Sequence, residues 1–90
     1  MRIELQIVLD IRDIERYIPY ELLYSSWDIL HTFSGKMAMA SAGLTFEELK
    51  PFYTLSYKYC KYGKPREMHL TIEQFDVWKK IRRMFFILYL

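Results

Sequence analysis

The sequence predicts a single α+β domain over residues 1–90, of the ferredoxin-like (RRM-like) kind: a four-stranded antiparallel sheet with two helices on one face. Three observations predict it. The stretch "RIELQIVLDI" alternates apolar and polar residues, two later stretches carry apolar side chains at helical spacing, and three further segments are rich in strand-forming residues. Their order, β-α-β-β-α-β, is that of the split βαβ arrangement. With 90 residues, 52% hydrophobic and 18% aromatic, the chain carries enough apolar side chain for a small core.

In the first strand Ile3, Leu5, Ile7 and Leu9 share one face, and Arg2, Glu4, Gln6, Val8 and Asp10 share the other. The next element is "YIPYELLYSSWDILHTFSG". Pro19 suits the first turn of a helix, where its missing N–H costs nothing. Leu23, Trp27 and Leu30 then recur at helical spacing, and Gly35 is placed to stop the helix. In "KMAMASAGLTFEELKP", Thr45 and Glu48 have capping-box spacing and predict a short helical turn that Pro51 ends. "FYTLSYKYCKY" and "REMHLTI" follow as a hairpin turned by "GKP". Thr71 is placed to cap a second helix, "IEQFDVWKKIRRM", with Phe75, Trp78, Ile81 and Phe85 on one side. The apolar run "FFILYL" is the fourth strand.

Charge is unevenly divided. Residues 1–48 hold four Lys or Arg against eight Asp or Glu, whereas residues 49–90 hold nine against three. An anionic partner would therefore meet the second half. Tyr53, Tyr57, Tyr59 and Tyr62 interleave there with Lys58, Lys61, Lys64 and Arg66, offering rings that stack on bases and cations that hold phosphates. Strand alternation sets Tyr57, Tyr59 and Lys61 on one face and Lys58, Cys60 and Tyr62 on the other. Lys79, Lys80, Arg82 and Arg83 add a basic surface on the second helix, read either as a solvated face or as a contact for RNA or an acidic protein.

Of the two histidines, His69 lies between Met68 and Leu70 in a predicted strand and reads as structural. His31, at the edge of the apolar face of the first helix, reads either as a packed side chain or as a catalytic or RNA-contacting one. The lone cysteine, Cys60, excludes an intramolecular disulfide and a Cys-based zinc site; no metal and no cofactor is expected. Glu4 and Asp10 interrupt the N-terminal apolar stretch, and no apolar run reaches the ~20 residues of a membrane span. The expected location is the cytoplasm.

Ile18, Pro19, Tyr20, Tyr24, Ser25 and Ser26, followed after a loop by Phe52, Tyr53, Thr54, Leu55 and Ser56, form a pattern over residues 2–72. It resembles the N-terminal half of the CRISPR-associated repeat RNA endoribonucleases, the sixth Cas family, within the RAMP superfamily. The resemblance implies binding of a hairpin repeat RNA and its metal-independent cleavage by 2′-hydroxyl attack. That reaction needs a base, an acid and a cation. By position the resemblance assigns His31 to proton transfer and Lys36 to the phosphate. A second reading makes the chain a non-enzymatic interaction module that docks on a CRISPR or other nucleoprotein complex. In either case the strand 85–90 would be covered by a partner strand, from a second copy of the chain or from another protein.

Overall fold

The computed structural model describes residues 6–12 and 20–89. Within them the chain forms β1 (Gln6–Asp10), α1 (Tyr20–Ser25), α2 (Trp27–Leu30), α3 (Phe33–Ala42), α4 (Phe46–Tyr62), β2 (Glu67–Thr71) and α5 (Ile72–Tyr89). β1 and β2 make a two-stranded antiparallel sheet with Ile7 opposite Leu70 and Leu9 opposite Met68. Met68 and Leu70 point into the core, while Val8 and His69 face each other outside it. Just past β1, the Arg12 side chain and amide donate to the Asp10 carboxylate and hold its pKa below the ordinary value.

The four-stranded ferredoxin-like sheet is not present: the described residues are mostly helical around this one strand pair. Two of the expected strands are helices. "FYTLSYKYCKY" is the greater part of α4, and residues 85–89 of "FFILYL" are the last turn of α5. Residues 1–5, 13–19 and 90 lie outside the described residues, and with them the start of the first strand, the Pro19 helix start and the Ile18–Pro19 part of the resemblance. Phe52–Ser56, which that resemblance sets in a strand, are helical.

Helix α4 begins where Thr45 and Glu48 predict. Thr45 Oγ1 accepts from the Glu48 amide at 3.2 Å, and Glu48 Oε1 accepts from the Thr45 amide at 3.2 Å. Pro51 does not end it. Pro51 removes one bond to the Glu47 carbonyl, but both residues are exposed, so that carbonyl remains solvated and the helix runs to Tyr62. Leu49, Phe52 and Ser56 then fall on one buried face at spacings of three and four. Tertiary burial of that face outweighs the strand preference of its tyrosines and threonine. The same logic carries α5 through its apolar end: Ile81, Met84 and Phe85 are buried on one side, and a strand could not bury all three together.

The first predicted helix is also divided. Ser26 makes a turn between α1 and α2, and His31 and Thr32 separate α2 from α3. Gly35 is therefore no terminator but a buried residue in the first turn of α3. A Cβ there would overlap the Ile29 carbonyl and lie 2.5 Å from the Leu30 Cα, so only glycine lets α3 fold back against α2. The left-handed stop is Gly43, at φ 74°, where the Leu44 amide donates to the Met39 carbonyl at 2.9 Å.

The core joins all these elements. Leu23, Leu30, Leu49, Ile81 and Met84 are fully enclosed. α1 lies along α4, and α3, whose buried residues include Gly35, Ala38 and Ala42, lies along α5. Two buried polar groups are satisfied: Ser56 Oγ donates to the Tyr53 carbonyl at 2.6 Å, and Ser26 Oγ lies 2.7 Å from the Tyr89 hydroxyl, tying the end of α5 to the α1–α2 turn.

Candidate functional site

His31 caps the end of α2 as part of an aromatic row. Its ring stacks on Phe46 at 4.5 Å and meets the edge of Trp27 at 5.3 Å. Trp27 in turn stacks on Tyr53 at 4.1 Å, Tyr53 on Tyr24 at 6.0 Å, and Tyr24 leans on Tyr57 at 5.8 Å. The row closes the seam between α1–α2 and α4. His31 Nδ1 lies 2.8 Å from the Trp27 carbonyl, which can only accept, so this nitrogen carries the proton. Among the described residues no hydrogen bond or ion pair joins His31 to Lys36, whose exposed side chain stands on α3. No group of three His, Cys, Asp or Glu there could hold a metal. The geometry around His31 is that of a capping and stacking residue.

The cations assigned to RNA are spread over three places. Lys58 and Lys61 stand on the exposed side of α4, where Lys61 lies 5.6 Å from the Tyr57 ring and 5.4 Å from the Tyr62 ring. Lys64 and Arg66 are in the α4–β2 loop, and Lys64 pairs with Glu21 at 3.6 Å. On α5, Lys79 pairs with Asp76 at 3.9 Å and sits over the Phe75 ring, and Lys80 pairs with Glu48 at 3.5 Å. Arg82 and Arg83 flank the exposed ring of Phe86 together with Lys79. Helix geometry thus replaces the two-faced tyrosine strand. Tyr59 turns inward to pack edge-on against Tyr20 at 4.9 Å, and burial raises its hydroxyl pKa.

The most distinctive surface is one that no sequence motif announced. α3, "FSGKMAMASA", carries one charge, and its exposed residues mix Phe33, Met37 and Ala40 with Ser34, Lys36 and Ser41. Its inner side meets α5, but its outer side leaves Phe33 80% and Met37 53% exposed. Beside them Ile87 of α5 is 46% exposed, and Phe33, Met37, Ser41, Ile87 and Leu88 line an open groove of about 420 Å³. Large apolar groups side by side in water on two adjoining helices form a candidate contact surface. Its one sequence signal is negative: α3 lacks the polar stripe of a helix with a solvated face.

Among the described residues no helix is long and apolar enough to cross a membrane. Comparison with family models, with curated proteins and with solved structures finds no match to the chain.

Proposed function

We propose that the chain is a non-enzymatic interaction module that binds a partner protein through the outer faces of α3 and the end of α5. One observation carries this reading: the apolar surface of Phe33, Met37 and Ile87 stands in solvent on helices whose opposite faces already complete the core. Covering a large apolar side chain is worth about 1.5–3 kcal/mol, so these three supply a useful part of a binding energy. Methionine suits such a surface because its flexible thioether adapts to a partner. The docking element at 85–89 offers side chains of a helix rather than the backbone edge of a strand, since its backbone bonds lie within α5.

A photo-crosslinking residue placed at position 37, in cells that make the protein, tests the reading. It should give a discrete protein adduct absent when the same residue stands at position 58 on α4. Equal labelling from both positions, or none from position 37, rejects it.

A second reading, binding of hairpin RNA, is favoured by the Lys79, Arg82, Arg83 and Phe86 face, where cations surround an exposed ring. It requires binding of a hairpin RNA at low salt that weakens steeply as salt rises. Unchanged mobility of such an RNA at micromolar protein excludes it.

A further inference from the structure

We propose that the outer edge of β1 pairs with the same edge of a second copy of the chain, antiparallel and about a two-fold axis through Val8. The phase of the β1–β2 ladder shows which backbone groups this edge offers. The Ile11 amide donates to the Arg66 carbonyl at 3.1 Å, which continues the register of Leu9 with Met68 and Ile7 with Leu70. Bonded positions alternate in an antiparallel pair, so Ile7, Leu9 and Ile11 turn their N–H and C=O groups toward β2, while Gln6, Val8 and Asp10 turn theirs away from it. Among the described residues the sheet has no third strand, and no backbone bond reaches these outward groups. Such a row of donors and acceptors is a template for another strand.

β1 fits itself as that strand. With the axis at Val8, the two Val8 residues exchange both of their backbone bonds, and Gln6 exchanges both of its own with Asp10 of the second copy. Every outward donor of residues 6–10 then meets an outward acceptor. The side chains agree with this register. On the outer face the exposed Val8 meets its counterpart, and the Gln6 carboxamide lies opposite the Asp10 carboxylate of the second copy, so no like charges oppose. On the other face the half-buried Ile7 and Leu9 stand opposite Leu9 and Ile7 of the second copy.

β2 does not offer the same edge. By the same alternation its outward groups belong to Glu67, His69 and Thr71, and the Thr71 amide already donates to Gln74 Oε1 at 2.9 Å at the start of α5. At its centre stands His69, whose Nε2 lies 3.7 Å from the Glu67 carboxylate, and charged side chains on an edge discourage pairing. The β1 edge shares no residue with the α3–α5 groove, so the two surfaces are tested separately.

Sedimentation velocity of the intact chain up to millimolar concentration tests the pairing, with Val8→Lys and Val8→Glu as variants at an exposed position. Far-UV circular dichroism checks that each variant folds. The unaltered chain should form a dimer, and each variant alone should associate tenfold or more weakly, because like charges then oppose across the axis. Mixing the two variants should restore the dimer, since the replaced side chains then face each other as cation and anion. A second measurement needs no variant: in a mixture of isotope-labelled and unlabelled chain, a filtered nuclear Overhauser contact should join the Hα protons of Ile7 and Leu9 from different copies, which this register brings together. If a variant does not fold, that contact alone decides. A chain that stays monomeric at millimolar concentration, a dimer indifferent to both Val8 variants, a mixture that fails to recover, or a dimer without the Ile7–Leu9 contact overturns the proposal. A dimer lost on Met37→Asp but kept on Val8→Lys also overturns it, and assigns self-association to the α3–α5 groove.

Discussion

At the scale of single residues, Gly35 and Tyr59 are governed by contact with neighbours that only the folded chain supplies. Replacing an ordinary helix glycine by alanine gains about 1 kcal/mol, because the backbone loses less freedom. At position 35 the new Cβ would meet backbone atoms of Ile29 and Leu30, which cannot swing aside as a flexible side chain could. Overpacking costs about 1–3 kcal/mol and wins. Gly35→Ala should therefore destabilise the protein by up to about 2 kcal/mol, read as a lower urea midpoint. Tyr59 titrates above its ordinary value because burial disfavours the phenolate. Its folded pKa exceeds the unfolded one, so its contribution is fully present below about pH 10 and is lost as pH rises through the raised value. Tyr59→Phe should flatten the alkaline fall in stability while leaving the protein folded at pH 7. The identity of both residues was plain in the sequence, but their roles were not: Gly35 reads as a helix stop until the chain is seen to fold back there.

At the scale of elements, caps were legible and periods were not. Thr45 with Glu48 and Thr71 with Gln74 mark the starts of α4 and α5, and in the second box the Gln74 amide donates to Thr71 Oγ1 at 3.1 Å. Such short-range bonds need only local residues, so local residues reveal them. Residues 52–62 misled because Tyr, Phe and Thr prefer strands when judged singly, whereas the spacing of Leu49, Phe52, Ser56 and Tyr59 is helical and depends on a core to have force. The end of α5 misled for a related reason: a short run of apolar residues has no period to read. α3 shows no stripe in the sequence because its exposed residues mix polar and apolar side chains. Pro51→Ala distinguishes the two accounts of α4. In a helix interior, proline is about 3 kcal/mol less favourable than alanine, so the substitution should raise stability by about 1–3 kcal/mol. Were Pro51 the end of a helical turn, the gain would be absent.

For the molecule as a whole, the uneven charge was legible, but the surface it borders was not. Counting residues locates the cations in the second half; it cannot tell that Lys64, Lys79 and Lys80 pair with Glu21, Asp76 and Glu48, nor that Arg82 and Arg83 stand with Lys79 around the exposed ring of Phe86. The groove itself joins α3 to α5, residues about fifty apart in sequence, and only folding brings them together. His31, one of two histidines in the sequence, is held by Trp27 and Phe46 in a row of rings that seals a helix seam. The central claim is that the outer face of α3 and the end of α5 form a docking surface. Titration of the isotope-labelled chain with the partner protein captured at position 37, followed by amide chemical shifts, tests it most directly. The shifts should move at residues 33–41 and 83–88 and stay fixed along the aromatic row; movement centred on Tyr24, Tyr53 and Tyr57 instead would contradict the claim.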